Sequence, residues 1–276
     1  LARYALAMAD ENLGRVSKST LSQQTLMELV IQSIEAKDKI TSSENHAIDI
    51  GEWNGVTLND DSEVSRINWF RYGLRGTLHL EWLPSSVENL WISNNNLTGS
   101  LDITSGDCLR DARVNSNELN GTIAFDSLPE GLEVFEGHNN AFTGRLNLSA
   151  LPRHMVQLTL QINKFEGECD LTRLPQSLTV LNISYNKLCG EIDLRNLPHS
   201  LVNLAVHSNL FEGKTDFSHL PESLRFFDMS DTKLSGVIYM DASQRYSMQN
   251  LNGKSFYTAQ CGVTIVERKK GNPSDV

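Results

Sequence analysis

From Val64 to Gly236 apolar and polar positions recur in one thirteen-residue order, Leu-x-x-Leu-x-Leu-x-x-Asn-x-Leu-x-Gly, which returns eight times. The closing glycines are Gly76, Gly99, Gly121, Gly144, Gly167, Gly190, Gly213 and Gly236, spaced by 23 residues except for 22 between Gly99 and Gly121. A constant period of this length marks a stack of like supersecondary units, each burying its apolar face only against its neighbours. In the block that ends at Gly190, the stretch Val180 to Ser184 alternates, so Leu181 and Ile183 point into the core while Val180, Asn182 and Ser184 point away. The pattern predicts a right-handed solenoid of mixed α/β repeat class, with a concave parallel sheet of about eight strands and one face of each strand open.

The ninth place of the block holds Asn95, Asn117, Asn140, Asn163, Asn186 and Asn209, with Tyr72 and Thr232 at the two ends. Where a chain leaves a strand and turns inward, its buried amides need partners, and an Asn side chain offers two donors and an acceptor. Stacked copies are expected to form a ladder between neighbouring turns. A second apolar column, Leu80, Ile103, Phe125, Leu148, Leu171, Leu194, Phe217 and Met240, follows each glycine, and Leu-Pro comes next at 83–84, 128–129, 151–152, 174–175, 197–198 and 220–221. Proline fits neither a central strand nor a helix interior, so the convex side is expected to be extended or 3₁₀, with few helices.

The repeat divides the chain into a capping region at 1–62, a solenoid of eight repeats at 63–240, and a C-terminal cap with a polar tail at 241–276. In the first part, Thr20 or Thr25 can cap a helix whose apolar face is Leu26, Leu29, Val30 and Ile34. Such a helix would cover the open edge of the first repeat. After Met240 the pattern fails; Val263, Ile265 and Val266 suit a closing strand, and Glu267 to Val276 reads as a tail.

The balance of 24 Lys+Arg against 34 Asp+Glu, a formal charge of −10, argues against nucleic acid as a partner. No apolar run is long enough to insert in a membrane. The four cysteines show no CxxC and no Cys/His metal spacing, and no cofactor motif is present. Cys169 shares its offset with core aliphatics, Cys189 sits at a position read as an exposed loop, and unpaired thiols lean toward a reducing, intracellular setting. Sequons at Asn96, Asn120, Asn147 and Asn182 are no more frequent than chance.

Gly51-Glu52-Trp53-Asn54-Gly55-Val56-Thr57-Leu58, followed by Val64, resembles the amino-terminal cap of plant-type leucine-rich repeat proteins, Cys-x-Trp-x-Gly-Val-x-Cys. Trp53, Gly55 and Val56 match, and Gly51 and Leu58 stand where that family has cysteines. The repeats, such as Leu-Pro-Glu-Ser-Leu at 220–224, resemble leucine-rich repeat proteins of trypanosomatid and related protists. The resemblance covers about 53–240 and implies the solenoid fold. Its members are receptors, adaptors, surface antigens and subunits of assemblies, so it does not choose a function.

Two carboxylate and imidazole pairs, Glu136 with His138 and His207 with Asp228, share strand faces, but an open sheet offers neither a positioned nucleophile nor an enclosed pocket, and no catalytic residue is assigned. The residues expected to bind a partner on the concave face are Arg66, Phe70, Trp91, Asp111, Arg113, Glu136 and His138, since aromatics and arginine dominate interface energy. The expected function is a non-catalytic protein-interaction module or scaffold. The alternative is a surface or secreted recognition domain for a peptide or small ligand.

Overall fold

A computed structural model describes residues 17–42, 48–241 and 255–268. The chain divides into two compact units, the first ending at Phe135 and the second beginning at Glu136. Each is a stack of the same repeat.

In the first unit the strands Val64–Asn68, Asn89–Trp91 and Asp111–Arg113 pair in parallel, with Arg66 beside Asn89 and Asn89 beside Asp111. In the second, Gln157–Thr159, Val180–Asn182, Asn203–Ala205, Phe226–Asp228 and Ser255–Tyr257 form the same ladder. In the interior three-residue strands the middle residue is apolar and buried, as at Leu90, Ala112, Leu181 and Phe227, and its neighbours take the outward face. That is the alternation of the repeat translated into a sheet.

Each repeat also adds a strand to a second ladder, which the sequence reading had taken for loop. In the first unit these strands are Arg75–Thr77, Asn96–Ser100 and Glu118–Gly121. In the second they include Lys164–Glu168, Lys187–Gly190, Leu210–Lys214 and Lys233–Asp241. The cause lies in x-Leu-x-Gly-x, which alternates at period two: Phe165 is buried between exposed Lys164 and Glu166. Cys189 therefore lies half-buried inside a strand and not on an exposed loop. The glycine permits close stacking; at Gly213, with φ at +97°, a Cβ would stand 2.7 Å from Glu191 Cγ.

The asparagines join the two ladders. Asn186 donates through Nδ2 to the carbonyls of Leu160, Ile183 and Ser184 at 3.0–3.1 Å, and its Oδ1 accepts from the Phe165 amide at 3.0 Å. Asn209 repeats this with Ile183, Val206 and the Leu188 amide, and Asn95 does so in the first unit with Trp69, Ile92 and the Leu74 amide. At the Thr232 position the hydroxyl donates to the Met229 carbonyl at 2.7 Å, a shorter reach that serves one bond of the set.

The residue before each asparagine, and before Tyr72 and Thr232 at the two ends, is left-handed, at Arg71, Asn94, Ser116, Asn139, Ile162, Tyr185, Ser208 and Asp231. Ile162, at φ +58° and half exposed, is β-branched, the kind of residue that this conformation disfavours most. Ile162→Asn is expected to raise the unfolding free energy by about 1 kcal/mol, read as a later urea midpoint. An unchanged or earlier midpoint would show that the isoleucine side chain is needed there.

After Gly76, Gly121 and Gly144 the chain makes short 3₁₀ turns, Leu80–Trp82, Phe125–Ser127 and Leu148–Ala150, each running into Leu-Pro, and after Gly99, Gly167, Gly190 and Gly213 it makes plain turns. The proline carbonyls then accept turn bonds, for example from Val87 to Pro84 and from Leu178 to Pro175, which needs no proline N–H.

The amino-terminal cap differs in detail from its expectation. The helix Gln23–Val30 is capped by Ser22, whose Oγ accepts from the Thr25 amide, and not by Thr20 or Thr25. It buries Leu26, Met27, Leu29 and Val30; Ile34 lies beyond it in the strand Ser33–Glu35. That strand pairs antiparallel with Arg75–Thr77, and Val56–Leu58 pairs antiparallel with Val64–Asn68, so both ladders of the first unit are covered at this edge. Leu58 occupies the space beside Gly51, whose Cβ would stand 3.3 Å from Leu58 Cδ1, so an apolar contact fills the place of the family's paired cysteines.

At the other end the repeat continues past its legible part. Ser255–Tyr257 joins the first ladder of the second unit beside Phe226–Asp228, and Gly262–Arg268 joins the second ladder through seven residue pairs. Glu267 and Arg268 thus belong to a strand and not to a tail, whereas the basic pair Lys269 and Lys270 lies outside the described residues. Phe256 follows Phe227 by 29 residues instead of 23, and that insertion hides the register in the sequence.

Candidate functional site

Strand register brings four of the expected binding residues together in the first unit. Trp91 pairs with Asn68 on one side and Arg113 on the other, so its indole stands between two arginines. Arg66 Cζ lies 5.2 Å and Arg113 Cζ 5.3 Å from the ring centroid, within cation–π range. Asp111 holds Arg113 in a fork: Nε donates to both carboxylate oxygens at 3.0 and 3.1 Å, and Nη2 donates to Oδ2 at 2.9 Å. The guanidinium is thereby pre-oriented, and less entropy is lost when a partner docks against it. Phe70 is exposed and stacks under Arg71, 5.1 Å from Cζ to centroid.

The cluster is half-buried and polar. Trp91 Nε1 is buried without a hydrogen-bond partner, whereas the other cap indoles are satisfied, Trp69 by the Asn54 carbonyl at 2.9 Å and Trp53 by that of Ile48 at 3.1 Å. A buried donor left open costs stability.

Glu136 and His138 belong to the second unit. Glu136 accepts from Gln157 Nε2 at 3.0 Å, and His138 Nδ1 lies 3.3 Å from Thr159 Oγ1. Burial lowers the His138 pKa below the ordinary imidazole value, against the opposing pull of Glu136. His207 Nδ1 approaches Asp228 Oδ2 to 3.3 Å, yet the angle makes no hydrogen bond and the nitrogen is left buried and open. Gln161 Oε1, in the column of His207, is open as well. The His138 contact is with a threonine hydroxyl and the His207 contact with a carboxylate.

Two features were not singled out in the sequence. A cavity of about 850 Å³ on the Leu-Pro side of the second unit is lined by Thr172, Arg195, His199, His219 and Glu222. Its residues vary from repeat to repeat, which leaves no periodic signal. The other is Tyr257, exposed beside Asp228, whose strand lay beyond the legible repeats.

The cysteines are free: Cys108 exposed, Cys189 and Cys261 half-buried, Cys169 buried with its pKa pushed up to about 12, first by that burial. A thiol reagent on the native protein is therefore expected to label Cys108 fastest and Cys169 last. Peptide mapping after brief alkylation reads the order; Cys189 leading would restore the loop reading of its position.

Among the described residues no helix is long and apolar enough to cross a membrane. The family model described as Leucine Rich Repeat matches residues 177–204. No curated protein matches the chain in sequence. Among solved structures, the crystal structure of PEPR1-AtPEP1 is similar at TM-score 0.64 and 20% identity, over 88% of this chain and 42% of that one. A plant ice-binding protein is similar at TM-score 0.63 and 18% identity, over 87% of this chain and 86% of that one. The Arabidopsis receptor kinase HAESA, solved with the peptide hormone IDA and the co-receptor SERK1, is similar at TM-score 0.59 and 20% identity, over 91% and 53%. The chain thus spans about half or less of the two receptor chains. At these identities the likeness is one of fold, and the fold is a leucine-rich repeat solenoid.

Proposed function

We propose that the protein is a non-catalytic binding module that takes a protein or peptide partner on the outward strand face of its first unit, around Trp91. The observation that carries this is the indole set between Arg66 and Arg113, with Arg113 pre-oriented by Asp111. Planar aromatic and guanidinium surfaces shed water together and form the centre of many interfaces. Phe70 extends the patch; Glu136 and His138 are proposed as contact residues of the second unit taken by itself. The structural neighbour HAESA is solved with a peptide hormone, which agrees with this reading without choosing the ligand. An intracellular scaffold is preferred over a surface receptor because four thiols stand unpaired and Leu58 fills the place of a cap disulfide.

A photo-reactive residue at Asn89, on this face, is expected to crosslink a partner in source-cell extract, while one at Glu118, on the second ladder, is not. Crosslinking from Glu118 alone, or equally from both, would move the interface off the Trp91 face.

A further inference from the structure

On the outward face of the second unit's first ladder, Asp228 and Asn182 occupy the same column two strands apart. They make the same local bonds. Asn182 Oδ1 accepts from the Ser184 amide at 3.1 Å and the Ser184 hydroxyl at 2.7 Å; Asp228 Oδ1 accepts from the Ser230 amide at 3.0 Å and hydroxyl at 2.6 Å. A neutral amide performs the structural task, so the negative charge of Asp228 is surplus to the fold.

That charge is held at a cost. The Asp228 side chain is only 15% exposed, and its Oδ2 lies 3.3 Å from the misaligned Nδ1 of His207. Among the described residues, no Lys or Arg stands on the strands from Gln157–Thr159 to Ser255–Tyr257 or in the turn residues directly after them. A carboxylate so placed needs a counter-charge.

Two rings stand beside it. Tyr257 is the register partner of Asp228 on the next strand and is 49% exposed; Phe226 precedes Asp228 on the same face, and the ring centroids are 5.4 Å apart at 47°. Tilted aromatic faces next to a half-satisfied carboxylate are the elements that recognise an organic cation. Asp231, exposed one turn on, adds a second negative charge.

We propose that Asp228, Phe226 and Tyr257 form a binding site for a lysine or arginine side chain of a basic protein segment, separate from the surface around Trp91. The cation lies against the two rings, and its N–H groups donate to Asp228 Oδ2. Tyr185, packed edge-on against His207 at 5.0 Å, bounds the site on the side away from Tyr257.

The test is the fluorescence anisotropy of a labelled tetralysine peptide titrated at low salt with the full chain. Asp228→Asn and Tyr257→Ala are each expected to weaken binding at least about fivefold, the scale of one lost cation contact. Tyr257→Phe, which keeps the ring, is expected to stay within about twofold of the native protein. Asp216→Asn makes the same change in net charge on an exposed aspartate of the Leu-Pro side and is expected to leave binding nearly unchanged. Asp228→Asn should also keep its melting temperature, because Asn182 shows the amide to be accommodated. Equal weakening by Asp216→Asn would mean that tetralysine reads only the bulk charge, and unaltered binding by Asp228→Asn with Tyr257→Ala would remove the site; either overturns the proposal. Trp91→Ala leaves tetralysine binding intact if the two surfaces are separate, so failure at one does not carry over to the other.

Discussion

Asn186→Ala is expected to lower the unfolding free energy by about 2–3 kcal/mol, near the upper end for a single polar truncation. One methyl replaces an amide that donates to three carbonyls and accepts from one N–H. Four bonds around one centre are lost together, among them the one from the Phe165 amide, while the Leu160, Ile183 and Ser184 carbonyls each keep a second donor, from Asn163 Nδ2, Asn209 Nδ2 and the Ile162 amide. Lys187, the next residue, is exposed, and Lys187→Ala should shift stability by no more than about 0.5 kcal/mol. Urea unfolding monitored by circular dichroism separates the two. Coincident midpoints would show that the asparagine bonds contribute nothing beyond what water supplies in the unfolded chain.

For binding, the largest loss is expected from Trp91→Ala, about 2 kcal/mol or more, or some thirtyfold in Kd. The ring supplies the apolar area of the cluster and the stacking surface of both arginines, so its removal also frees Arg66 and Arg113 to move. Because the indole is half-buried, the melting temperature must be compared alongside; Trp91 Nε1 has no partner to lose, which limits the cost to the fold. Retained affinity in a Phe70, Trp91 and Arg113 triple alanine variant would refute this surface as the interface.

The glycine register made the first ladder legible, because Leu-x-Leu alternation and a constant period identify one face residue by residue. The same argument placed Arg66, Trp91 and Arg113 on adjacent strands, and the structure adds the fork from Asp111 that orients one of them. The second ladder is also written in the sequence, in stretches such as Lys164-Phe165-Glu166, but a period-two run of three residues ending at a glycine is too short to tell from a loop, and Cys189 falls in such a run. Ser22 was missed as the helix cap because three hydroxyl residues lie within six positions, and only backbone geometry separates them. Asp228 was visible only as a possible acid-base partner of His207. That Asn182 does the same structural work uncharged emerges from hydrogen bonds and not from residue type.

The long pairing at the end of the second unit bears on how that unit comes apart. Interior neighbours of its second ladder share two or three residue pairs, as between Lys187–Gly190 and Leu210–Lys214, whereas Lys233–Asp241 and Gly262–Arg268 share seven. A zipper ordinarily opens at its terminal tooth, where one side is missing. Gly262–Arg268, the outermost described strand, is the most strongly meshed, so freeing it must break more bonds at once than parting any two interior neighbours, and it acts as a latch on the strands behind it.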